Sequence, residues 1–558
     1  MYSIVSELAF LGFVFYSSLL FSLLLVPVSS RLAVVLGVLD QPESRKMHNR
    51  AVPRMGGLAM AIAMVGTILL CVRLEQPVIA FLLGAGIVSF VGLIDDRFSI
   101  SPRLKFAGQV LAALTFVLAS DLTVQSFGDL FGFGEIRTSS LAPVVTVFCM
   151  VGVMNALNLS DGLDGLAGGI GFMAALFFAL LAYWHQAWYW ANISLVLCGV
   201  LLGFLRYNHY PASLFMGDTG SLLIGYTLAA TAVSLAHVTN ETTSVPPISL
   251  AIILSLPVVD TIWVMLHRLL TGHNPFSPDK SHLHHRLLQL GISHAGVVAI
   301  IYGLMLFFGF WSWLVWNRPE WQQFLSTIVI LICLYGGFAL LEKSKFEVGR
   351  FIRSARLIPA RRIVIRPELL KTIFCATPFF LLVCLVVPIL GVAPLTRPMG
   401  LSACSAVLFV VLLYPWKAGK EKMLMGHGVL YAALFFILLI VGIEVRESFW
   451  LIFFMYGTSL LAFCWVLIKV ATSRSDLLLY PSGFELLLIF SSWISPFALQ
   501  PILDITLETG LLIVLTCVQA LPWLCLVKLI VRRNPGKNIR VAFGVVFILL
   551  LLGVSPFV

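Results

Sequence analysis

The sequence predicts an all-α protein that crosses a membrane many times. Of its 558 residues, 60% are hydrophobic and only 11% are charged. Its mean hydropathy is +1.00, a value that excludes the soluble globular classes. Apolar segments of about 20 residues, the length of a membrane-spanning helix, recur along the whole chain. About eleven of them precede residue 345 and about seven follow it.

The first apolar segment, Glu7 to Val28, is predicted to be a retained membrane helix. It is long enough to span, lacks a basic leading region and shows no small-residue cleavage pattern, so it differs from a signal peptide. The connection after it, Arg31 to Arg54, contains Arg45, Lys46 and Arg50. Because basic connections stay in the cytoplasm, this connection places the N-terminus outside.

The next apolar segments bring four polar clusters to the same side of the membrane. The first four predicted spans are Met55 to Val72, Pro77 to Ile94, Leu104 to Ser120 and Leu141 to Asn155. Three pairs of spans follow: one that turns at Tyr183 to Trp190 and returns at Arg206, one formed by Gly220 to His237 and Pro247 to Leu266, and a last pair that ends at Glu342. Alternating basic connections then put the polar clusters on the cytoplasmic face. The charge rule uses none of their Asp, Asn or His residues, so their convergence is independent evidence for a shared site.

The most polar cluster is NALNLSDGLDGLAGG, residues 155–169, at the end of a predicted membrane helix. Its amides and carboxylates are Asn155, Asn158, Asp161 and Asp164. A carboxylate at the membrane edge costs several kcal/mol unless it meets a partner, a metal or water, which favours a functional role. The glycines predict a break in the helix, and free oxygen atoms that line such a break suit a hard cation.

Three more carboxylates lie in the same predicted region. Asp95 and Asp96 are adjacent at a helix exit, where they could hold Mg²⁺ or act as a base, although a solvated helix end is the alternative. Asp218 lies in MGDTGS, whose small residues let a phosphate or metal approach the backbone, although a plain turn is the alternative. Mg²⁺ usually takes one or two protein carboxylates, so Asp218 with one of Asn158, Asp161 or Asp164 would suffice.

The fourth cluster is SPDKSHLHHRLLQLG, residues 277–291. Ser277 and Pro278 predict the start of a short helix, and Gly291 predicts its end. One apolar stripe is formed by Leu283, Leu287 and Leu290. Away from it lie Lys280, His282, His284, His285 and Arg286. This pattern predicts a membrane-surface helix that presents imidazoles and cations to an anion; zinc is the alternative, although nothing at ligand spacing completes a tetrahedral set.

Asp260 lies near the cytoplasmic end of its predicted span, in PVVDTIWVML, and Arg268 follows about two turns later. A structural ion pair between the two side chains is one interpretation. A role in substrate binding is the other, because an ionisable residue within a membrane span marks a functional site by default.

The segments GLIDDRFSISPRLKFAGQ (92–109), NALNLSDGLDGLAGG, FMGDTGS and PFSPDKSHLHHRLLQLG resemble the polyprenyl-phosphate N-acetylhexosamine-1-phosphate transferases of glycosyltransferase family 4. The histidine segment resembles the undecaprenyl-phosphate N-acetylglucosamine-1-phosphate transferase branch more than the phospho-N-acetylmuramoyl-pentapeptide transferases. The resemblance covers about the first 345 residues. The residues beyond them exceed the usual catalytic unit of that family.

The resemblance implies transfer of a sugar-1-phosphate, with N-acetylglucosamine expected, from a UDP-sugar to undecaprenyl phosphate at the cytoplasmic face of a bacterial inner membrane. UMP would be released, Mg²⁺ would be the cofactor with Mn²⁺ as a substitute, and the step would start cell-envelope polysaccharide synthesis. Another 2-acetamido sugar stays open as the donor. A homodimer is expected to be possible, and no nucleic acid is expected as a partner.

The resemblance also implies roles for individual residues. The metal would be held by Asp218 and Asn158. Deprotonation of the lipid phosphate, or nucleophilic attack, would fall to Asp95 and Asp96. Asp161 and Asp164 would also be catalytic residues, placed near the nucleotide and the metal. The donor diphosphate would meet Arg268, His282, His284 and His285. The lipid phosphate would meet Lys46, Arg54 and Lys105, and substrate binding would also involve Asn155 and Asp260.

A transporter or lipid-linked sugar flippase is the competing hypothesis, because many spans with buried carboxylates also describe ion-coupled carriers. Carriers place their coupling sites near the midplane, commonly within repeated halves. Here the polar clusters lie at one face and the sequence shows no clear repeat. Residues 1–345 are therefore predicted to form the transferase unit. Residues 346–558 are predicted to form an additional multi-span module, whose role as a partner module, an oligomerisation surface or a lipid-handling element stays open.

Overall fold

The computed structural model describes residues 2–41, 51–237, 245–272 and 281–343. Its helices are α1 (Tyr2–Leu36), α2 (Gly56–Cys71), α3 (Gln76–Phe98), α4 (Pro102–Ser120), α5 (Ala142–Leu159), α6 (Leu166–Trp184), α7 (Trp188–Asn208), α8 (Gly217–Ala236), α9 (Pro247–Ile253), α10 (Ser255–Leu270), α11 (Leu283–Gln289), α12 (His294–Val315) and α13 (Glu320–Lys343). A short 3-10 helix, Ser139–Leu141, precedes α5. Two short strands, β1 (Leu39–Asp40) and β2 (Val52–Pro53), form an antiparallel pair.

The predicted all-α, multi-span architecture is confirmed for these ranges. Nine of the described helices are long and apolar enough to cross a membrane, and the pair α9 and α10, bent by 76° at its break, raises the number to ten. The remaining predicted span corresponds to α2, which is apolar but only 16 residues long. The spans predicted after residue 345, and the module boundary at that position, lie outside the described residues.

Helix α1 continues beyond its predicted end at Val28 to Leu36. The residues after Pro27 are again mostly apolar, and the surroundings of a membrane helix tolerate an internal proline. The helix ends instead at Gly37, whose φ of +69° is the left-handed conformation that glycine adopts without steric cost. Thus a glycine, and not the proline, sets the boundary.

The interior of the bundle is formed by α6, α7 and α8. In the 18-residue apolar stretch of each of these helices, 83%, 83% and 89% of the residues are buried. The corresponding share in each of α3, α4 and α5 is 39%. Helix α8 packs against α2, α3, α5 and α6. The start of α8, which carries Asp218, is therefore surrounded by the ends of other helices.

Glycines permit the closest of these approaches. A Cβ atom on Gly57 of α2 would collide with the backbone of Gly220, and one on Gly92 of α3 would collide with the backbone of Thr219. Both contacts lie at the first turn of α8. They bring the end of α3, with Asp95 and Asp96, within reach of that turn.

The strand pair places a basic residue beside the same turn. The Phe215 N–H donates to Pro53 O at 2.9 Å, and the Gly56 N–H donates back to Phe215 O at 2.9 Å. Strand β2 is thereby joined to the segment that leads into α8. Arg54, which follows β2 directly, is fixed next to the site.

The glycine contacts predict a clear difference between two substitutions in α3. Gly92→Ala should lower the free energy of unfolding by about 1–3 kcal/mol, because the new methyl group meets backbone atoms that cannot rotate away. Gly86→Ala is the matched control, because nothing lies within 4 Å of its Cβ position. Thermal unfolding in detergent measures both, and equal melting temperatures would contradict the packing described here.

Candidate active site

Asp96, at the end of α3, caps the N-terminus of α8. Its carboxylate accepts hydrogen bonds from the Asp218 N–H at 2.7 Å, the Thr219 N–H at 3.1 Å and the Thr219 hydroxyl at 2.6 Å. Helix N-termini leave N–H groups without partners and carry partial positive charge, so an anion stabilises them. The N-cap residue of α8, Met216, supplies no side-chain cap of its own. Asp96 thus takes the place of a local cap from another helix.

Asp218 lies at the centre of a cluster of charges. Its Oδ1 accepts hydrogen bonds from Lys105 Nζ at 2.7 Å and from Asn158 Nδ2 at 2.6 Å, and its Oδ2 accepts from Arg54 Nη2 at 2.9 Å. Lys105 Nζ lies 3.2 Å from Asp95 Oδ2 and 3.4 Å from Asn158 Oδ1. Three side chains therefore direct oxygen atoms at one position, which the ammonium group of Lys105 occupies.

Arg54 links two of the carboxylates. Its Nε lies 3.2 Å from Asp96 Oδ1, and its Nη2 contacts Asp218. Burial acts against the charged form, but the carboxylates of Asp96 and Asp218 outweigh it and hold the pKa of the guanidinium above its ordinary value. The side chain is still 32% exposed. Arg54 is thus a fixed cation that an anion from outside can reach.

Asp95 and Asp96 are held differently although they are neighbours. The Oδ1 of Asp95 accepts from the Ile100 N–H at 2.9 Å, and its Oδ2 faces Lys105. The left-handed conformation of Ser99, with φ of +52°, ends α3 and allows the chain to fold back to Asp95. Asp96 points to α8, whereas Asp95 points to the cation.

The two aspartates of the 155–169 segment also differ. The Oδ2 of Asp164 accepts from the Ala212 N–H at 2.9 Å, which ties the segment to the loop before α8. Asp161 lies in a tight turn, in which its N–H donates to Asn158 O at 3.2 Å, and its side chain is exposed. Helix α5 ends at Leu159 and α6 begins at Leu166, so the predicted break in the helix is present.

Two buried side chains hold the backbone in place at this break. Neither of them is identified by the sequence. Asn208, at the end of α7, accepts from the Gly165 N–H at 3.0 Å and donates to Leu214 O at 2.9 Å. The hydroxyl of Tyr302, in α12, donates to Gly165 O at 2.6 Å. In the sequence, the only signal for Asn208 is an amide side chain at the end of an apolar helix. Tyr302 resembles any other core aromatic residue.

The histidine segment reaches the same end of the bundle. Asp260 Oδ2 accepts from His282 Nδ1 at 2.9 Å, and Asp260 Oδ1 accepts from the Leu283 N–H at 2.9 Å. The rings of His282 and His284 are nearly parallel, with centroids 5.9 Å apart. His284 packs on Gly162 so closely that a Cβ there would collide with its ring. Its Nε2 is buried without a hydrogen-bond partner.

The predicted start of the histidine helix is wrong. The helix begins at Leu283, since His282 has an extended backbone, and Ser277 and Pro278 lie outside the described residues. The physical reason is Asp260, which accepts the first helical N–H and so replaces a local cap. The predicted end is confirmed, because Gly291 follows the helix with φ of +76°.

The predicted exposed histidine face is also wrong. His282 is 6% exposed and His284 is 4% exposed, and both lie in the protein interior. Arg286 pairs with both carboxylate oxygens of Glu342 in α13, at 2.7 and 2.9 Å. The helix packs against α12 and is bonded to α13 through Arg286. Contacts to Asp260 and α13, both distant in sequence, decide its orientation.

The remaining predicted site residues are placed as follows. Asn155 donates to Gln109 Oε1 at 2.8 Å and to Val151 O at 2.9 Å, so its amide joins α5 to α4. Arg268 is buried near the end of α10. Lys46 lies outside the described residues. Among the described residues, no group of three or more His, Cys, Asp or Glu side chains could hold a metal ion.

The sequence of this chain is similar to those of known proteins. The family model of glycosyl transferase family 4 matches residues 78–236. A probable undecaprenyl-phosphate N-acetylglucosaminyl 1-phosphate transferase of Bacillus subtilis is 34% identical over 319 residues, which are 57% of this chain and 88% of that protein. A decaprenyl-phosphate N-acetylglucosaminephosphotransferase of Mycobacterium tuberculosis is 36% identical over 298 residues, 49% of this chain and 74% of that protein. An undecaprenyl-phosphate alpha-N-acetylglucosaminyl 1-phosphate transferase of Yersinia pestis is 30% identical over 343 residues, 60% of this chain and 92% of that protein.

The buried imidazole of His284 predicts a loss of stability in acid. Burial, together with His285 and His282, lowers the pKa of His284 to about 3. An unfolded histidine titrates at about 6.5, so between these values only the unfolded state binds the proton. The free energy of unfolding therefore falls as the pH decreases from about 6.5 towards 3.

Thermal unfolding at about pH 7 and about pH 5 measures this effect, because the lower pH lies between the two pKa values. The melting temperature should fall further in the wild type than in His284→Gln, whose side chain does not titrate. If both proteins lose the same amount, His284 is not a buried neutral imidazole.

Proposed function

Since the chain belongs to glycosyl transferase family 4, we propose that it transfers N-acetylglucosamine-1-phosphate from a UDP-sugar to undecaprenyl phosphate and releases UMP. The three relatives are named for N-acetylglucosamine phosphate transfer to undecaprenyl or decaprenyl phosphate. The observation that carries the proposal is the convergence of Arg54 and Lys105 on Asp218. Two partly accessible cations lie there beside carboxylates, at the end of the bundle where all four motifs meet.

The reaction requires this arrangement because both reactants are anions. Attack of a phosphate on a diphosphate brings negative charges together, so fixed cations must lower their repulsion. Arg54 is held in place by Asp96 and Asp218 before any substrate arrives. Such preorganised charges cost no reorganisation during the reaction.

The oxygen atoms around Lys105 also fit a magnesium ion, which would take the position that the Lys105 ammonium occupies here. Asp218, Asp95 and Asn158 offer hard oxygen ligands at one position. Mg²⁺ needs only one or two protein carboxylates, because water and substrate phosphates complete its octahedron. Asp218 and Asp95 would hold the ion, with the amide oxygen of Asn158 beside them. When bound, Mg²⁺ or Mn²⁺ would supply charge neutralisation at the diphosphate oxygens.

Asp95 is better placed than Asp96 to meet the lipid phosphate. Asp96 is occupied by α8 and Arg54, and its role is to position them. Asp95 directs one oxygen to Lys105, where a phosphate would bind. A phosphate monoester loses its second proton near pH 6, so at neutral pH the acceptor is already largely ionised. Positioning of the nucleophile therefore contributes more here than a strong base.

The donor is proposed to bind on the other side of the 155–169 segment. His284 presents an unpartnered Nε2 next to Gly162, and its low pKa keeps the ring neutral at physiological pH. Since this nitrogen is buried against Gly162, the 155–169 segment would have to move away from it before its N–H could donate to a diphosphate oxygen. Asp161, exposed in the same segment, borders the space that a nucleotide would enter.

The active site is proposed to face the cytoplasm, with the N-terminus outside, because the basic connections lie at that end of the helices. The protein would then be a bacterial inner-membrane enzyme, and assembly as a homodimer stays a prediction. The carrier hypothesis receives no support from the geometry. The charged residues around Asp218 lie at helix ends and turns, away from the middle of the spans where carriers place coupling sites.

Release of UMP tests the proposed function. Purified full-length protein is incubated with undecaprenyl phosphate and a panel of UDP-N-acetylhexosamines, with and without Mg²⁺. Release should require the lipid and the metal, and should be fastest with UDP-N-acetylglucosamine. Asp218→Asn should lower kcat by at least about a hundredfold, the scale of losing a major electrostatic contact in a reaction of this kind.

The matched control is Asp121→Asn, at the opposite end of α4, which should keep wild-type turnover. Release with a different UDP-sugar would correct the donor alone. No release with any donor from protein that unfolds cooperatively would contradict the transferase.

A further inference from the structure

We infer that Asp260 is a positioning residue, which orients His282 and the first turn of α11 so that His284 is held beside Gly162, next to the proposed donor site. The inference rests on the proposed function and changes the predicted role of Asp260 from a substrate ligand to a residue that acts through another. Its basis is the pair of hydrogen bonds from His282 Nδ1 and the Leu283 N–H to the two carboxylate oxygens.

The carboxylate of Asp260 is enclosed by protein. The residue is 8% exposed, and its oxygens accept from His282, which directly precedes α11, from Leu283 of α11 and, at 3.4 Å, from the hydroxyl of Tyr335 of α13. A buried carboxylate is costly unless hydrogen bonds compensate its lost hydration. Here the compensating donors belong to two other helices. Asp260 therefore has little access to a substrate and strong contact with the histidine segment.

The bond to Asp260 determines which nitrogen of His282 carries a hydrogen. Because a carboxylate oxygen accepts from Nδ1, that nitrogen is a donor, and the other face of the ring is directed away from Asp260. A carboxylate partner of this kind fixes the tautomer and the orientation of an imidazole. The second oxygen holds the Leu283 N–H, so the ring and the backbone that carries it are fixed together.

His282 fixes the position of His284 because the two rings pack against each other. The two rings are inclined by only 11°, and His284 also contacts His285, at 4.2 Å between centroids. His284 in turn rests on Gly162, where no side chain intervenes. A shift of His282 would move the unpartnered Nε2 of His284 relative to the 155–169 segment.

A second contact of α11 supplies a control. Arg286 and Glu342 also attach α11 to α13, through hydrogen bonds that are separate from those of Asp260, and the Glu342 side chain is 35% exposed. Glu342→Gln weakens this attachment but removes neither of the hydrogen bonds that His282 and Leu283 donate to Asp260, although Arg286 also interacts electrostatically with Asp260. Asp260→Asn keeps the size of the side chain and an oxygen for the Leu283 N–H, while its amide group cannot accept from His282 Nδ1.

The experiment is a double-mutant cycle in the full-length protein. Asp260→Asn should lower kcat/KM for UDP-N-acetylglucosamine by about tenfold, the scale of losing a carboxylate that orients a histidine. The loss should appear in the KM of the donor, with the KM of undecaprenyl phosphate unchanged. In a His282→Gln background, Asp260→Asn should cause no further loss of kcat/KM. Glu342→Gln should change kcat/KM by the same factor in the wild-type and the His282→Gln backgrounds.

A full tenfold loss from Asp260→Asn in the His282→Gln background would overturn the inference, because Asp260 would then act without the histidine. If Asp260→Asn fails to fold, His282→Gln alone decides: a raised donor KM supports the inference and a wild-type donor KM overturns it.

A measurement without substrate separates this inference from the proposed function. In ¹⁵N-histidine-labelled protein without metal or substrate, His282 should show a protonated, hydrogen-bonded Nδ1, assigned by its loss in His282→Gln. The signal should move to the Nε2-protonated form in Asp260→Asn. An unchanged signal would refute the role of Asp260. Absence of turnover in the wild type would refute the proposed function alone.

Discussion

The hydrogen bonds between Asp96 and the first turn of α8 hold the candidate active site together. They join the end of α3 to the start of α8 and leave Asp218 facing Arg54 and Lys105. Glycines at the helix contacts allow the backbones to come close enough for these bonds. A change in the α3–α8 spacing would therefore alter both the capping of α8 and the position of the central carboxylate.

The same principle recurs at the histidine segment. Asp260 caps α11 from a neighbouring helix, as Asp96 caps α8, and in both places the N-cap residue supplies no side-chain bond of its own. Each carboxylate thus performs two tasks, since it stabilises a helix N-terminus and orients a charged or titratable group. At both places, elements distant in sequence are locked together where the two substrates are proposed to meet.

The sequence predicted the fold class and the grouping of the motifs, because hydropathy, basic connections and costly polar residues are local signals. It also predicted the break at residues 155–169 from its glycines. It could not predict that His282 and His284 are buried, since Asp260 and Tyr335, which enclose the segment, are distant in the chain. The β1–β2 pair has two residues in each strand and leaves no alternating pattern. The role of Asn208 could not be predicted either, because it depends on hydrogen bonds to Gly165 and Leu214, which only the folded structure shows.

The central claim is that the oxygen cluster around Lys105 is where metal and phosphates meet. Electron paramagnetic resonance of Mn²⁺ titrated into the protein with UDP-N-acetylglucosamine tests this directly. Binding should weaken by at least about tenfold in Asp218→Asn, since a hard cation depends on its few carboxylates. It should be unchanged in Asp121→Asn, whose side chain lies at the far end of α4. Equal Mn²⁺ affinity in Asp218→Asn and the wild type would contradict the account.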